Sequence, residues 1–179
     1  MMSVIVNTTT ISNFACIERL NVLQQLYGNI HISVEVYKEI QQGLEEGYQF
    51  YAPLQKQIYP FEESGWVKLT NMMDEHEFGL FGELPSRLHP GETSSLAIAS
   101  HRNWLFLTDD LAARKEAIKR NIRLSGTLGC LVLAVERHIC VLGEANYWLN
   151  QMIEQDYKSP VKDLTSLVNS QSKPIYSGD

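Results

Sequence analysis

Acidic and amide side chains recur in this sequence where an apolar strand ends or a helix begins. They come from four distant parts of the chain: Asn7, Glu39, Glu92, and the neighbours Asp109 and Asp110. The carboxyl ends of parallel strands meet at one edge of a sheet, and ligands collect there. Three or four carboxylates at one edge repel one another, and a set of oxygen ligands favours Mg²⁺ or Mn²⁺. The residues therefore predict a divalent-metal site at this edge.

Each of these residues also has an ordinary structural explanation. Asp109 or Asp110 can cap the helix that follows, and a glutamate in a first helical turn, such as Glu92, is favoured by the helix dipole. Glu39 can pair with Lys38 on a solvated face. The functional interpretation depends on a shared position, because isolated caps would scatter over both edges of the sheet. The sequence leaves open which of the two aspartates would hold a metal.

The elements that would position these side chains alternate between strands and helices. Five short apolar runs are typical of buried strands: Val4–Val6, the segment around Ile30 and Ile32, Trp66–Leu69, Trp104–Leu107 and Ile122–Leu124. The alternation predicts a three-layer α/β/α fold with a central parallel sheet of four to five strands. We expect Val4–Val6 and Trp104–Leu107 to be central and adjacent, which would bring Asn7 near Asp109.

The remaining segments are predicted with less regular structure. Residues 47–59 are expected to be helical and rich in aromatic side chains, and residues 71–90 form an excursion from the alternating pattern. Residues 1–140 are expected to form the domain. Residues 141–179 are expected to add a C-terminal helix and a polar tail that pack on it or extend from it.

Length, composition and cysteine content limit the classes to which the chain can belong. It has 179 residues, 44% apolar and 20% charged, which suits one globular domain with a sizeable core. No apolar run approaches the ~20 residues of a membrane-spanning helix. Three cysteines without C-x-x-C spacing indicate the reducing cytoplasm. The five histidines contain no H-x-x-x-H pair, which argues against a structural zinc site.

Several other chemistries are disfavoured. A nucleic-acid coat protein would be basic, whereas this chain has a net charge of −6. That balance still allows an enzyme that holds cations in an acidic pocket. No G-x-G-x-x-G or G-x-x-x-x-G-K-[ST] motif follows a strand, and there is no G-x-S-x-G elbow. A phosphatase with an aspartyl nucleophile would need an aspartate where Asn7 stands.

Five short motifs resemble those of PIN-domain proteins and occur in the same order. They are Val4–Thr9, Ile32–Ile40, Gly91–Thr93, Leu107–Asp110 and Ser125–Gly129. The resemblance spans about residues 3–140. It is strongest to the branch with a Gly-Thr-Leu-Gly turn, many of whose members are predicted toxins encoded beside small antitoxins.

The resemblance implies a Mg²⁺- or Mn²⁺-dependent endoribonuclease in which metal-activated water attacks a phosphodiester of single-stranded RNA. The catalytic and metal-ligating residues that it implies are Glu39, Glu92, and Asp109 or Asp110, with Asn7 at the position of the first metal ligand. The residues that it implies for orienting water or phosphate are Thr8, Ser125 and Thr127.

The sequence departs from the family at Asn7, where PIN domains normally carry an aspartate. An amide oxygen can coordinate a dication, but it brings no charge and is a poorer ligand. A second interpretation is therefore a PIN-like module whose catalysis is weakened or lost and which binds nucleic acid or a protein partner.

Two further surfaces are candidates for contact with partners. Arg114 and Lys115 are predicted to bind nucleic acid as part of a basic group that continues with Lys119, Arg120 and Arg123, although a solvated helix face has the same composition. Related proteins pair as homodimers, and toxins of this kind bind a small antitoxin. The aromatic side chains expected either at such an interface or packed within the monomer are Tyr48, Phe50, Tyr51 and Tyr59.

Overall fold

Six parallel strands form one sheet at the centre of the computed structural model, which describes residues 3–171. The strands are β1 (Val4–Val6), β2 (Ile30–Ser33), β3 (Ile58–Tyr59), β4 (Val67–Thr70), β5 (Leu105–Leu107) and β6 (Leu124–Ser125). Their order across the sheet is β3-β4-β2-β1-β5-β6, and every pairing is parallel. The three-layer α/β/α class is confirmed, and the expected four to five strands are corrected to six.

Helices connect the strands and cover both faces of the sheet. They are α1 (Thr8–Ala15), α2 (Leu20–Tyr27), α3 (Val34–Glu45), α4 (Ala52–Gln55), α5 (Glu75–Glu83), α6 (Pro90–Arg102), α7 (Leu111–Lys119), α8 (Thr127–Glu136), α9 (Leu142–Glu154) and α10 (Thr165–Gln171). A 3-10 turn at Gln49–Tyr51 precedes α4. Among residues 3–171, no helix is both long and apolar enough to span a bilayer.

The two strands expected to be central and adjacent, β1 and β5, are neighbours inside the sheet, and neither is an edge strand. Val4, Ile5 and Val6 of β1 lie in parallel register with Leu105, Phe106 and Leu107 of β5. The backbone N–H of Asn7 continues the ladder by donating to the carbonyl of Leu107 at 3.1 Å. The residues that follow these two strands are therefore neighbours at one sheet edge.

Alternation along β1 divides the core between the two faces of the sheet. Val4 and Val6 pack in a large apolar cluster with α1, α2, α3, α8 and α9. Ile5 points the other way and packs in a smaller cluster with α6 and α7. Trp148 of α9 and Leu164 belong to the large cluster, so the chain beyond residue 140 packs on the same core. The last part of the predicted polar tail, residues 172–179, lies outside the described residues.

Two predicted segments differ from the structure. Residues 47–59 are helical only in part, because Ile58 and Tyr59 pair in parallel with Val67 and Lys68 and so extend the sheet by one strand. The excursion at residues 71–90 contains a helix, α5, which Asp74 caps by accepting a hydrogen bond from the backbone N–H of His76 at 2.8 Å.

Candidate metal centre at the sheet edge

Glu39 reaches from α3 to the first turn of α6. One of its carboxylate oxygens accepts a hydrogen bond from the backbone N–H of Gly91 at 2.8 Å, and the other accepts from the hydroxyl of Thr8. A β-carbon at Gly91 would lie 2.6 Å from both carboxylate oxygens. Glycine at this position therefore allows Glu39 to lie directly beside Glu92.

Glu92 sits in the first turn of α6, and only 6% of it is exposed. Its Oε2 accepts a hydrogen bond from the backbone N–H of His89 at 2.9 Å, which closes the first turn. Burial is the main cause that raises the pKa of Glu92. The hydrogen bond from His89 opposes this rise, and the carboxylates of Asp110 and Glu39 add to it. Glu39, Glu92 and Asp110 thus share one electrostatic environment.

Asp109 has a different role from Asp110, because the protein itself occupies both of its carboxylate oxygens. Oδ1 accepts from the backbone N–H of Thr127 at 3.0 Å and from the hydroxyl of Tyr157 at 3.3 Å. Oδ2 accepts from the hydroxyls of Thr10 and Thr127 at 2.9 and 2.5 Å and from the amide of Asn13 at 3.3 Å. Asp109 thereby fixes the N-terminus of α8 to β5.

Asp110 caps α7 through a single oxygen. Its Oδ1 accepts a hydrogen bond from the backbone N–H of Ala113 at 2.7 Å. Within residues 3–171, its Oδ2 accepts no hydrogen bond, so it keeps an oxygen for another partner. The two neighbouring aspartates therefore differ in how much of each carboxylate is free.

Asn7 is fully buried, and both ends of its amide have partners. Its oxygen accepts from the backbone N–H of Thr10 at 3.3 Å and from the hydroxyl of Thr9 at 2.9 Å. Its nitrogen donates to the hydroxyl oxygen of Thr108 at 2.8 Å. Asn7 is thus the N-cap of α1 and is tied to the end of β5.

A family model described as a PIN domain matches residues 3–170 of the chain. The chain belongs to the PIN-domain family. This membership makes it a nuclease-type module, and PIN domains in general depend on a divalent metal and bind nucleic acid. No curated protein matches the chain.

The three residues that the resemblance assigned to orienting water or phosphate make contacts within this PIN domain. The hydroxyl of Thr8 donates to Glu39. Thr127 is fully buried, and its hydroxyl donates to Asp109 and accepts from the amide of Asn13 at 3.0 Å. The hydroxyl of Ser125 lies against Gly129 in the first turn of α8. Their assigned role in orienting water or phosphate stays a prediction.

The basic group of the PIN domain divides into residues near the edge and residues paired elsewhere. Arg114 donates to the carbonyls of Thr108 and Ser125 at 2.9 and 3.1 Å, which holds its guanidinium where β5 and β6 end. Lys115 is exposed. Lys119 and Arg120 are not part of this surface, because both pair with the buried Glu116. Arg123 donates to Asn103 at the far end of β5.

A cavity of about 800 Å³ opens beside this edge of the PIN domain. It is lined by Thr8, Asn13, Asp109, Asp110 and Arg114, among others, and one wall comes from residues 156–160. The lining residues that escaped sequence analysis include Asn13, Tyr157 and Lys158. Asn13 lies four positions after Thr9 on α1, a spacing that places both on one helix face. Tyr157 carries no local signal, because its contact with Asp109 spans 48 positions.

The carboxylates at this edge are neighbours, but no three of them, among the described residues, offer oxygens that all lie within 4.8 Å of one another. Within residues 3–171, the group of three His, Cys, Asp or Glu residues whose ligand atoms all lie within 4.8 Å of one another is Asp74, His76 and His101. That group lies at the opposite end of α6 from Glu92. The predicted ligation of a metal by the edge residues stays a prediction.

Proposed function

We propose that this PIN domain is a Mg²⁺- or Mn²⁺-dependent endoribonuclease that cleaves single-stranded RNA and holds its metal through Glu39, Glu92 and Asp110. The observation that carries the proposal is the convergence of these three carboxylates, from α3, α6 and the start of α7, at the edge where β1 and β5 end. Like charges at close quarters are costly unless a cation offsets them. Burial is the main cause of the raised pKa of Glu92, and the neighbouring carboxylates of Asp110 and Glu39 add to it.

The chemistry of this donor set fits a hard dication. All three side chains offer oxygen, which Mg²⁺ and Mn²⁺ prefer over the nitrogen and sulfur ligands that favour zinc. Asp110 Oδ2 and Glu92 Oε1 accept no hydrogen bond from the described residues, so each has an oxygen to contribute. Each oxygen of Glu39 accepts one hydrogen bond and keeps a lone pair for a metal, unlike the more heavily bonded oxygens of Asp109. When bound, the dication would supply Lewis-acid activation of the phosphodiester and of the attacking water.

Side chains around the cavity would orient RNA at this edge. Asp109 fixes the first turn of α8, and Arg114 is held at the ends of β5 and β6, so both keep the cavity wall in place. Arg114 and Lys158 line the cavity and bring positive charge to an otherwise acidic site. These cations would contact the phosphates on either side of the scissile bond, and exposed Lys115 would extend that contact.

Asn7 supports a second candidate, a PIN module that binds RNA or a protein partner without cutting. Its buried amide is committed to capping α1, so the first acidic position of the family contributes neither charge nor a free oxygen. With three carboxylates in place of four, the metal affinity is lower, and binding without cleavage becomes the competing outcome.

We extend the proposal to a cytoplasmic toxin that is held by a small antitoxin and forms a homodimer. Tyr48 and Tyr59 support an interface because they are 53% and 46% exposed, and exposed aromatic side chains are enriched where proteins bind one another. Tyr51 does not contribute to this interface, since it is buried and its hydroxyl is hydrogen-bonded to that of Ser12. Sedimentation of the purified chain tests the dimer, and a monomer at high concentration would contradict it.

The decisive experiment compares RNA cleavage by the natural chain, by Glu92→Gln and by Glu136→Gln, with Mn²⁺ or with chelator. Glu136 is an exposed glutamate at the end of α8 and serves as the matched control. We expect chelator-sensitive cleavage by the natural chain and the control, and none by Glu92→Gln. RNA binding without cleavage, combined with no Mn²⁺ binding by calorimetry, would replace the nuclease with the binding module.

A further inference from the structure

A histidine–aspartate cluster lies at the C-terminal end of α6, away from the acidic edge. Nδ1 of His76 is 2.7 Å from Oδ1 of Asp74, and Nε2 of His101 is 3.7 Å from the same oxygen. The two imidazole rings are stacked, with centroids 5.5 Å apart and planes inclined by 6°. Three ligand atoms of types that transition metals prefer thus converge from α5 and α6, within 4.8 Å of one another.

A buried ion pair holds the two helices in the position that brings these ligands together. Glu77 of α5 has no exposed side-chain surface, and it accepts from Nε and Nη2 of Arg102 at 2.5 and 3.0 Å. Arg102 follows His101 directly, and Glu77 also accepts from the backbone N–H of Met73, next to Asp74, at 2.8 Å. The cluster is therefore built on a fixed framework, although its side chains reach the surface.

The ligands can reach an ion once it replaces the 2.7 Å contact between Nδ1 of His76 and Oδ1 of Asp74. Asp74 uses Oδ1 to cap α5, and within the described part of the chain its Oδ2 accepts no hydrogen bond. The side chains of His76 and His101 are 83% and 38% exposed, so an ion can enter from solvent. Three protein ligands with an open fourth position are the donor set of many tetrahedral zinc sites.

We propose that Asp74, His76 and His101 bind a Zn²⁺-class transition-metal ion that joins α5 to the end of α6. Two imidazoles select Zn²⁺, Co²⁺ or Ni²⁺ over Mg²⁺ and Mn²⁺, which prefer oxygen. His101 lies nine positions after Glu92 on α6, about 14 Å at 1.5 Å per residue, so this ion is distinct from the one proposed at the acidic edge. The site is independent of whether the protein cuts RNA.

Cobalt is the probe for this site because Co²⁺ bound by histidine absorbs visible light and Zn²⁺ displaces it. The chain should be prepared without a polyhistidine tag and titrated with Co²⁺, and the same titration should be run on His101→Asn, His76→Asn and His138→Asn. His138 is an exposed histidine with a positive φ of 56°, a conformation that asparagine tolerates, so it is the matched control.

We expect one Co²⁺ per chain with the visible absorption of histidine ligation in the natural protein, in the control and in Glu92→Gln, whatever Co²⁺ the oxygen ligands of the acidic edge also bind. The affinity should fall at least about tenfold in His101→Asn and His76→Asn, because removing a ligand costs no less than removing a group that merely orients one. Zn²⁺ should also raise the unfolding temperature of the natural chain and the control but not that of His101→Asn. No binding by the natural chain, or equal binding by His101→Asn and His138→Asn, would overturn the proposal. Loss of Co²⁺ in Glu92→Gln would overturn the separation of the two sites.

Discussion

The two ends of α6 carry opposite arrangements of charge. At the N-terminal end, Glu92 is buried beside two further carboxylates, and its pKa is raised. At the C-terminal end, Glu77 is buried against Arg102. Burial alone would raise the pKa of Glu77, but Arg102 and the backbone N–H groups of Met73 and Asp74 lower it below its ordinary value. The charges at the N-terminal end therefore add to the cost of burying Glu92, whereas those at the C-terminal end offset the cost of burying Glu77.

This difference fits the proposed dication at the N-terminal end, and it identifies the Glu77–Arg102 ion pair at the C-terminal end as a structural contact. Uncompensated carboxylates are a cost to the fold that a bound dication offsets, whereas the pairing of Glu77 needs no ligand. The helix dipole acts in the same sense at both ends, favouring the carboxylate of Glu92 near the N-terminus and the cation of Arg102 near the C-terminus. The proposed metal ligands also differ between the two ends: they are all carboxylate oxygens at the N-terminal end and mainly imidazole nitrogens at the C-terminal end.

The largest expected effect separates Asp109 from Asp110 at the N-terminal end. In Asp110→Asn, asparagine caps α7 as well as aspartate does, so the free energy of unfolding should change by less than about 0.5 kcal/mol. Mn²⁺ affinity and RNA cleavage should nevertheless fall by about 100-fold, because a metal ligand is lost. Calorimetry, cleavage assays and urea unfolding measure the three quantities.

Asp109→Asn should give the reverse pattern. It removes the charge that accepts hydrogen bonds from Thr10, Asn13, Thr127 and Tyr157, and the free energy of unfolding should fall by about 3 kcal/mol. Mn²⁺ affinity should change by less than tenfold, an order-of-magnitude expectation for a group that only positions the site. If Asp109→Asn abolished Mn²⁺ binding and left stability intact, the assignment of the two aspartates would be inverted.

The next effect concerns stability at the C-terminal end. Glu77→Gln should lower the free energy of unfolding at pH 7 by about 2–3 kcal/mol, because Arg102 loses its charged partner. The folded pKa of Glu77 lies below its ordinary value of 4.5, so its contribution is full above pH 4.5 and is lost as the pH falls through the folded pKa. Urea unfolding at a series of pH values should show the two chains converging at acidic pH.

Glu83→Gln is the control for that measurement, since Glu83 is exposed on the same helix. Its unfolding free energy should stay within about 0.5 kcal/mol of the natural chain. A gap between Glu77→Gln and the natural chain that widened below pH 4.5 would contradict the role assigned to the ion pair.

A smaller effect is expected from adding charge at the N-terminal end. Asn7→Asp places a fourth carboxylate in a fully buried position, and without metal it should lower the free energy of unfolding by about 1–2 kcal/mol. Saturating Mn²⁺ should recover that loss, because a tighter-bound ion stabilises the folded state more. Cleavage should rise as well. Asn7→Ala loses the cap, so its loss of stability should persist with Mn²⁺; recovery in Asn7→Ala would show that charge is not the cause.

Tyr157→Phe should give the smallest change. The hydroxyl of Tyr157 donates to Asp109 across a long 3.3 Å, so its removal should cost about 0.5–1 kcal/mol. Cleavage should fall two- to threefold at most, an estimate for a contact one residue away from the proposed ligand. Tyr147→Phe, at an exposed tyrosine of α9, is the control. A loss of activity as large as that of Asp110→Asn would give Tyr157 a direct part in the reaction.

The sequence was sufficient to predict the class of the fold and the edge on which its polar residues lie. Buried strands are visible in the sequence as continuous apolar runs, and Val4–Val6 and Trp104–Leu107 were correctly predicted to be adjacent strands inside the sheet. Strand β3 escaped prediction because Ile58 and Tyr59 become a strand only by pairing with β4, and neither residue shows this locally.

Partners far along the chain decide the roles that sequence could not assign. Asp109 and Asp110 are both good caps in any local window, and only contacts with Thr127 and Tyr157 distinguish them. The pair His76 and His101 has no motif spacing, because two helices and the Glu77–Arg102 contact bring the rings together. Helical spacing in a sequence can reveal ligands that lie on one helix, but it cannot reveal ligands that come from two helices.

The order of strands in the sheet also governs when the site can exist during synthesis. Of the six strands, β1 leaves the ribosome first. One of its two edges pairs with β5, so this edge stays unpaired until Leu107 has been synthesised. Of the three proposed ligands, Glu39 and Glu92 emerge well before Asp110. A nascent or prematurely terminated chain that lacks β5 therefore carries two of the carboxylates and no assembled edge to hold them. On this topology, the proposed cutting activity requires that β5 and Asp110 have left the ribosome.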